Sequence, residues 1–389
     1  MSVYSHFQKM LEKSTCCEIP EIVSNLQSQL LPTDPEACSP YVVRECVLKV
    51  ESNRYLVRSA LQKCIRRGDV QRSMDYASYL YHYNSSKVFR DLAIIAIEDV
   101  GIGSPDAVYL ALYMDKYSKE RHAYGDPHLL LMTVVIGLAL APYKSRACCE
   151  LSLGLDLLSH RMMIGAENTT CLLPADSDLK FKSDPRFARI LEVVPLYEEL
   201  LKARGKFPGY LKDEKYLSLL SDAYSEVLPP ILHRMCVLAM DRAHDSMFLA
   251  AFPVCFLFTA ALANQSVDLL PEDFPPESYI NGVPCCAFDM HTLPGKQAIK
   301  AFHTSVKKSV LIFNDLDPLF VVKTLGSIVF TEEGGLCNNQ IDFACLKEFQ
   351  DLFFHLGFGV PASYRDDLKI IVRDHLSVLH SKRQWAARI

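Results

Sequence analysis

Apolar residues recur along most of this chain at the three- and four-residue spacing of helices packed on a common core. Val43, Cys46, Val47, Val50, Leu56 and Leu61 share one face and predict a long helix over Tyr41–Cys64. Gly68-Asp69 interrupts it, and Asp69 is placed to cap a new helix over Val70–Tyr83. A further amphipathic segment, Lys87–Val100, stops at Gly101. Ser104-Pro105-Asp106 then opens another helix with a capping hydroxyl, a proline at the first position and an acid near the positive end. Leu129–Ala141 is almost wholly apolar and reads as a core helix, and Ser145–Met163 continues helically after Pro142.

From Gly165 to Pro185 the periodicity dissolves into polar sequence, which marks a domain boundary. Helices resume over Arg186–Arg204, Glu214–Val227, Pro230–Arg242, Gly295–Phe313, Asp317–Phe330, Ile341–His355 and Tyr364–His380. Prolines and acids make Leu269–Cys286 an irregular connector, and short strands are expected only at Phe181–Phe187 and Cys285–Phe288. The prediction is an all-α protein of two helical domains. They are an N-terminal helical extension over 1–40 with a first domain over 41–165, and a second domain over 186–389 with an irregular connector at 269–290. No internal repeat stands out.

Length and composition fit this picture: 389 residues, half of them hydrophobic and 22% charged, suit two packed domains. The net charge of −5 argues against a surface that coats nucleic acid throughout, but leaves room for a local basic patch. The 14 cysteines occur singly or as adjacent pairs within apolar runs and include no C-x-x-C. They therefore read as reduced, buried small hydrophobes rather than as a disulfide frame or zinc site, and the expected setting is cytoplasmic. Met247–Ala263 carries no charge, but it is short for a membrane span and holds Pro253, so a kinked buried helix is expected.

Three short motifs in order bear a resemblance. The first is Ala60, Lys63, Ile65, Arg66, Gly68, Asp69, Ala77 and Tyr79. The second is Arg90, Leu92, Ile95, Ala96, Glu98, Asp99, Val100, Gly101, Pro105 and Ala107. The third is Leu138, Ala139, Ala141, Pro142, Lys144 and Ser145. Together they resemble the helical C-terminal region of the RarA/MgsA family of replication-fork AAA+ ATPases, which includes the Werner-helicase-interacting protein, over residues about 55 to 160. The resemblance implies a collar-like helical domain, homo-oligomeric assembly, and partners such as DNA or a replication-fork or AAA+ protein. It gives Arg90, Glu98, Asp99, Gly101, Pro105 and Pro142 structural roles.

The chemistry of that family belongs to an ATPase module that this chain does not match. Leu293-Pro294-Gly295-Lys296-Gln297 has a Gly-Lys but no upstream glycine, and glutamine stands where a magnesium-binding hydroxyl is needed. No cofactor, metal or catalytic set is expected. The leading reading is a non-enzymatic assembly or adaptor protein of DNA replication, repair or a mobile-element process, without membrane contact.

Its candidate phosphate contacts are Arg66 and Arg67 at a helix C-terminus, Lys144 and Arg146 near a helix N-terminus, and Lys296 and Lys300. Residues Arg365–Ile389 add a basic amphipathic segment with the only tryptophan, Trp385, suited to base stacking, to docking, or to simple packing. Two alternatives remain at this point. One is a hydrolase or nuclease centred on Asp289, His291 and Lys296, with Thr292 also a candidate helix cap; the other is a protein-binding inhibitor module.

Overall fold

The computed structural model describes residues 18–30, 54–117, 119–149, 230–241, 252, 267–269, 274–307, 313, 318–343 and 362–388. Its helices are α1 (Ile19–Leu30), α2 (Arg54–Arg67), α3 (Val70–Tyr83), α4 (Ser85–Ile95), α5 (Pro105–Lys116), α6 (Pro127–Ala139), α7 (Pro230–Asp241), α8 (Leu293–Val306), α9 (Pro318–Val329), α10 (Ala362–Asp374) and α11 (Leu376–Ala386). The strands are β1 (Val267–Leu269), β2 (Tyr279–Ile280), β3 (Val283–Pro284) and β4 (Ile341–Phe343). The described residues are thus predominantly helical, as the periodicity predicts.

The chain divides into two compact units interleaved in sequence. The first takes Met1–Leu30, Phe89–Leu270 and Asn339–Phe353; the second takes Leu31–Val88, Pro271–Asn338 and Phe354–Ile389. Each unit therefore draws on sequence from both sides of the boundary expected at 165–185, which itself lies outside the described residues. So do residues 31–53, most of the helix expected over Ser145–Met163, the helices expected over 186–227, the strand at 181–187, and all of the apolar stretch 247–263 except Phe252. Among the described residues no helix is long and apolar enough to cross a membrane.

In the first unit, α5 packs against α1, α6 and α7. The core is built from Val108, Leu110 and Leu112 of α5, Leu131, Val134 and Leu138 of α6, and Ile231 and Met235 of α7, all buried. α6 starts as its sequence dictates, with Asp126 accepting from the His128 amide and Pro127 at the first position. In the second unit α2 packs on α3, α8 on α11 and α9, and α9 on α10. Gly68, at φ 71°, ends α2 in the left-handed conformation. Asp69 then caps α3 through the Arg72 amide at 3.2 Å, so the Gly68-Asp69 junction behaves as its residues predict.

Several expectations need correction. Ile341–His355 does not begin as a helix: Ile341–Phe343 pairs antiparallel with Val267–Leu269. Asn339, at φ 46°, turns the chain there, and the Ile341 amide donates to the Lys144 carbonyl, so this backbone is already used in pairing. The connector at 269–290 holds a hairpin, β2–β3, closed by Asn281-Gly282 at φ 51° and 80°. This is the Asn-Gly turn whose twist suits two strands, where the sequence reading expects only an irregular connector. The short strand expected at Cys285–Phe288 is instead the single helical turn Cys285–Ala287 just after β3. Tyr364–His380 is broken at His375 into α10 and α11.

Two helices end in a wide π turn: Ala96–Val100 after α4, and Phe330–Gly334 after α9. The described cysteines Cys64, Cys148, Cys149, Cys236, Cys285, Cys286 and Cys337 are buried and unbridged.

Candidate functional site

The residues that carry the sequence motifs come together as buried locks within each unit. In the first unit the π turn exposes none of Asp99, which is fully buried with the Arg146 Nε 3.9 Å from its Oδ1. The Ser145 amide donates to the Asp99 carbonyl at 3.1 Å. Gly101, at φ 50°, closes the turn. Gly103 is required by proximity, since a Cβ there would lie 2.1 Å from the Tyr143 carbonyl oxygen.

Lys144 is 0% exposed. Its ammonium donates to the carbonyls of Leu138 and Ala139 at 2.9 Å and of Ala141 at 3.3 Å, capping the C-terminal end of α6. The second and third motifs thus form one interlocked corner. Pro105 takes the first position of α5 behind Ser104, although the Ser104 hydroxyl makes no capping bond. Arg90 lies on α4, half-buried, and Pro142 is exposed.

In the second unit Lys63 and Asp289 form a buried ion pair at 2.5 Å, with the Lys63 ammonium also donating to Ser59 Oγ at 3.0 Å. Burial opposes ionisation of Asp289, but Lys63 holds its carboxyl below the usual value. The other carboxylate oxygen accepts from the His291 main-chain amide at 2.9 Å. Gly295 sits against this loop so closely that a Cβ would lie 1.9 Å from the Asp289 carbonyl oxygen. Thr292 caps α8 through the Gly295 amide at 3.2 Å. The glycine of the failed phosphate loop is therefore a packing contact.

Arg66 is 0% exposed and donates to the Gly334 carbonyl at 2.5 Å. Arg67 binds Glu277 at 2.9 Å and the Glu333 carbonyl at 3.2 Å. The Phe330 ring takes Lys63 Nζ at 5.4 Å and the Arg66 guanidinium at 5.1 Å. His291 meets the same ring edge to face at 5.3 Å. Desolvation, with Lys63, Arg66 and Lys296 nearby, lowers the His291 pKa toward about 4 against the pull of Asp289. More than a third of that residue stays exposed, so solvent screens part of the effect and the direction is what counts.

A third lock holds Glu333. Arg383 Nη2 lies 2.6 Å from one carboxylate oxygen and His380 Nε2 3.2 Å from the other. Burial works against the charge, but Arg383 and His380 bring the Glu333 pKa down to about 2. Arg383 also donates from Nε to the Phe288 carbonyl at 3.1 Å, joining α11 to the loop before α8.

These placements change the candidate list. Arg66 and Lys144 have no surface to offer a phosphate, and Arg67 and Arg146, with side chains 11% exposed, lie against Glu277 and Asp99. The hydrolase reading loses its geometry too. Both Asp289 oxygens are taken by Lys63 and a main-chain amide, so neither orients the His291 ring, and Lys296 points from an exposed position of α8. Among the described residues no group of three or more His, Cys, Asp or Glu side chains converges as a metal site would need.

Two of the six basic candidates, Lys296 and Lys300, remain exposed, and the fold gives them company. Residues 290–314 contain no acid, and neither do residues 375–389. The helices from these two segments, α8 and α11, pack on one another. Their outward positions include Lys296, Lys300, Lys307 and Arg388, with Lys382 half-buried and Trp385 49% exposed. Sequence reasoning overlooked Lys307 and the pairing of the two acid-free segments, since their contact depends on the tertiary fold. Comparison of the chain with protein-family models, with curated proteins and with solved structures found no match.

Proposed function

We propose that this protein is a non-enzymatic helical adaptor that binds DNA through the acid-free face of α8 and α11. One observation carries the reading: two mutually packed helices present Lys296, Lys300 and Lys307 with no carboxylate in either segment, on a chain whose net charge is −5. In an acidic protein such a concentration of exposed ammonium groups favours a polyanion, because each phosphate contact releases condensed counterions. The buried charges of the motifs support the reading from the other side, since they hold the fold and leave α8 and α11 to meet a partner. The replication, repair or mobile-element setting rests on the three motif resemblances alone.

The test is binding of the full chain to forked, duplex and single-stranded DNA across a salt series. Lys296→Glu combined with Lys300→Glu is expected to weaken binding by about tenfold or more and to flatten the salt dependence by about two counterions. Unchanged affinity and slope in a folded double variant would overturn the proposal.

A further inference from the structure

We infer that α11 contributes a stacking platform for unpaired bases, so that the nucleic acid this surface takes is single-stranded; this rests on the reading of α8 and α11 given above. The chain has one tryptophan, and the structure leaves it 49% exposed although it lies on a helix packed into its unit. The buried face of α11 is set by Leu379, Arg383 and Ala386. At 100° per residue, Trp385 falls well away from that face, beside Lys382 three residues before it and Arg388 three residues after it.

An indole held in this way has a helix behind it and a cation toward either end. A nucleobase placed on the indole would bring its flanking phosphates toward Lys382 and Arg388. The same end of α11 is fixed to α8 by the Arg383 bond to the Phe288 carbonyl, five residues before α8 starts at Leu293. Arg383 is itself fully buried and paired with Glu333, so the helix that bears the indole is anchored by a charge rather than free to fray.

A large, half-exposed aromatic flanked by cations on a helical segment without acids is the composition that single strands require, because every base offers a π face and every nucleotide a phosphate. A base inside a duplex is already stacked and offers no free face to Trp385. A basic surface without such a ring would not distinguish the two forms.

The single tryptophan makes the test direct, because all indole fluorescence comes from residue 385. The full chain is titrated with oligothymidylate of about 16 nucleotides and with a duplex of equal length, following fluorescence and, in parallel, anisotropy of labelled DNA. The expected result is quenching by oligothymidylate but not by duplex, with Trp385→Ala losing about tenfold or more in affinity for the single strand and about twofold or less for the duplex. Trp385→Phe should retain an intermediate affinity. Thermal unfolding of each variant, expected to match the parent because the indole is half-exposed, separates loss of stacking from loss of fold.

Tight binding of oligothymidylate with unchanged fluorescence, or equal losses on both DNA forms, would overturn the inference. If Lys296→Glu with Lys300→Glu still weakens DNA binding, the adaptor reading survives that failure. Absence of binding to either DNA form at low salt would sink both. A blue shift of the indole on anionic phosphatidylserine vesicles, with no response to oligothymidylate, would replace nucleic acid by a lipid surface.

Discussion

The corner after α4 and the corner after α9 are built from the same local signal and held by different forces. Each is an apolar helix that widens into a π turn, carries two adjacent acids, and buries the second: Asp99 in one, Glu333 in the other. At the first corner main-chain contacts close the turn. The Ser145 amide closes on the Asp99 carbonyl at 3.1 Å, the backbone at Gly103 lies against Tyr143, and Arg146 Nε stands 3.9 Å from Asp99 Oδ1. At the second corner side-chain charge does it: Arg383 at 2.6 Å and His380 at 3.2 Å hold the carboxylate, and Arg66 takes the Gly334 carbonyl. The corners thus differ in what closes them, a main-chain bond to the Asp99 carbonyl in one and an ion pair on the Glu333 carboxylate in the other, and they fail under different perturbations.

The largest expected effect is at the second corner. Arg383→Ala would leave a buried carboxylate with His380 alone and cost about 3–5 kcal/mol, seen as a lowered urea midpoint. Substitution of both partners, Arg383→Met with Glu333→Leu, should recover much of that loss; failure to recover would mean that the pair specifies packing beyond its charge. At the first corner the sensitive residue is a glycine. Gly103→Ala forces a Cβ to within 2.1 Å of a carbonyl oxygen and should cost about 3 kcal/mol or more, whereas charge-neutral changes around Glu333 leave that corner untouched.

Acid should separate the two corners next. Glu333 is held at about 2, below an unfolded glutamate near 4.3, so its contribution is complete above that unfolded value and is lost as pH falls toward 2. His291, a base with a lowered pKa, adds a second acid-sensitive limb: the unfolded chain takes up a proton first, so stability declines as pH drops below about 6.5. Amide exchange in α11 should therefore accelerate at a higher pH than in α5, and Glu333→Gln should flatten the lower part of that response. The smallest effect distinguishes the members of one acid pair. Glu332 meets Arg373 at 2.6 Å, but that guanidinium is 63% exposed, and Glu332→Ala should cost less than about 1 kcal/mol by thermal unfolding.

How much of this was legible depends on the range over which the controlling contact acts. Gly68-Asp69, the α3 limits and the stop at Gly101 followed from one or two neighbouring residues and stand as read. The Asn281-Gly282 hairpin was equally local, and was hidden by the prolines and acids around it. The repeated signal of two acids and a glycine after an apolar helix was also present at Glu332-Glu333, yet only Glu98-Asp99 stood out, because the former lacked the flanking Ser-Pro-Asp helix start. Ile341–Phe343 required partners far away in sequence. The buried fate of Arg66 was not legible at all, and that of Lys144 was missed although its carbonyls lie only three to six residues earlier. A cation at a helix end looks solvated until the carbonyls that it meets are known, and those at Arg66 come from residue 334.

That span in sequence bears on how the chain is made. Lys63 awaits a carboxylate 226 residues later and Arg66 a carbonyl 268 residues later. At translation rates of about 5–20 residues per second, α2 spends roughly 10–50 s outside the ribosome before Asp289 and Gly334 follow it. Burying its inward face in that interval would bury Lys63 without the Asp289 carboxylate that neutralises it in the fold. Early burial of α2 is therefore costly until the segment that carries Asp289 arrives.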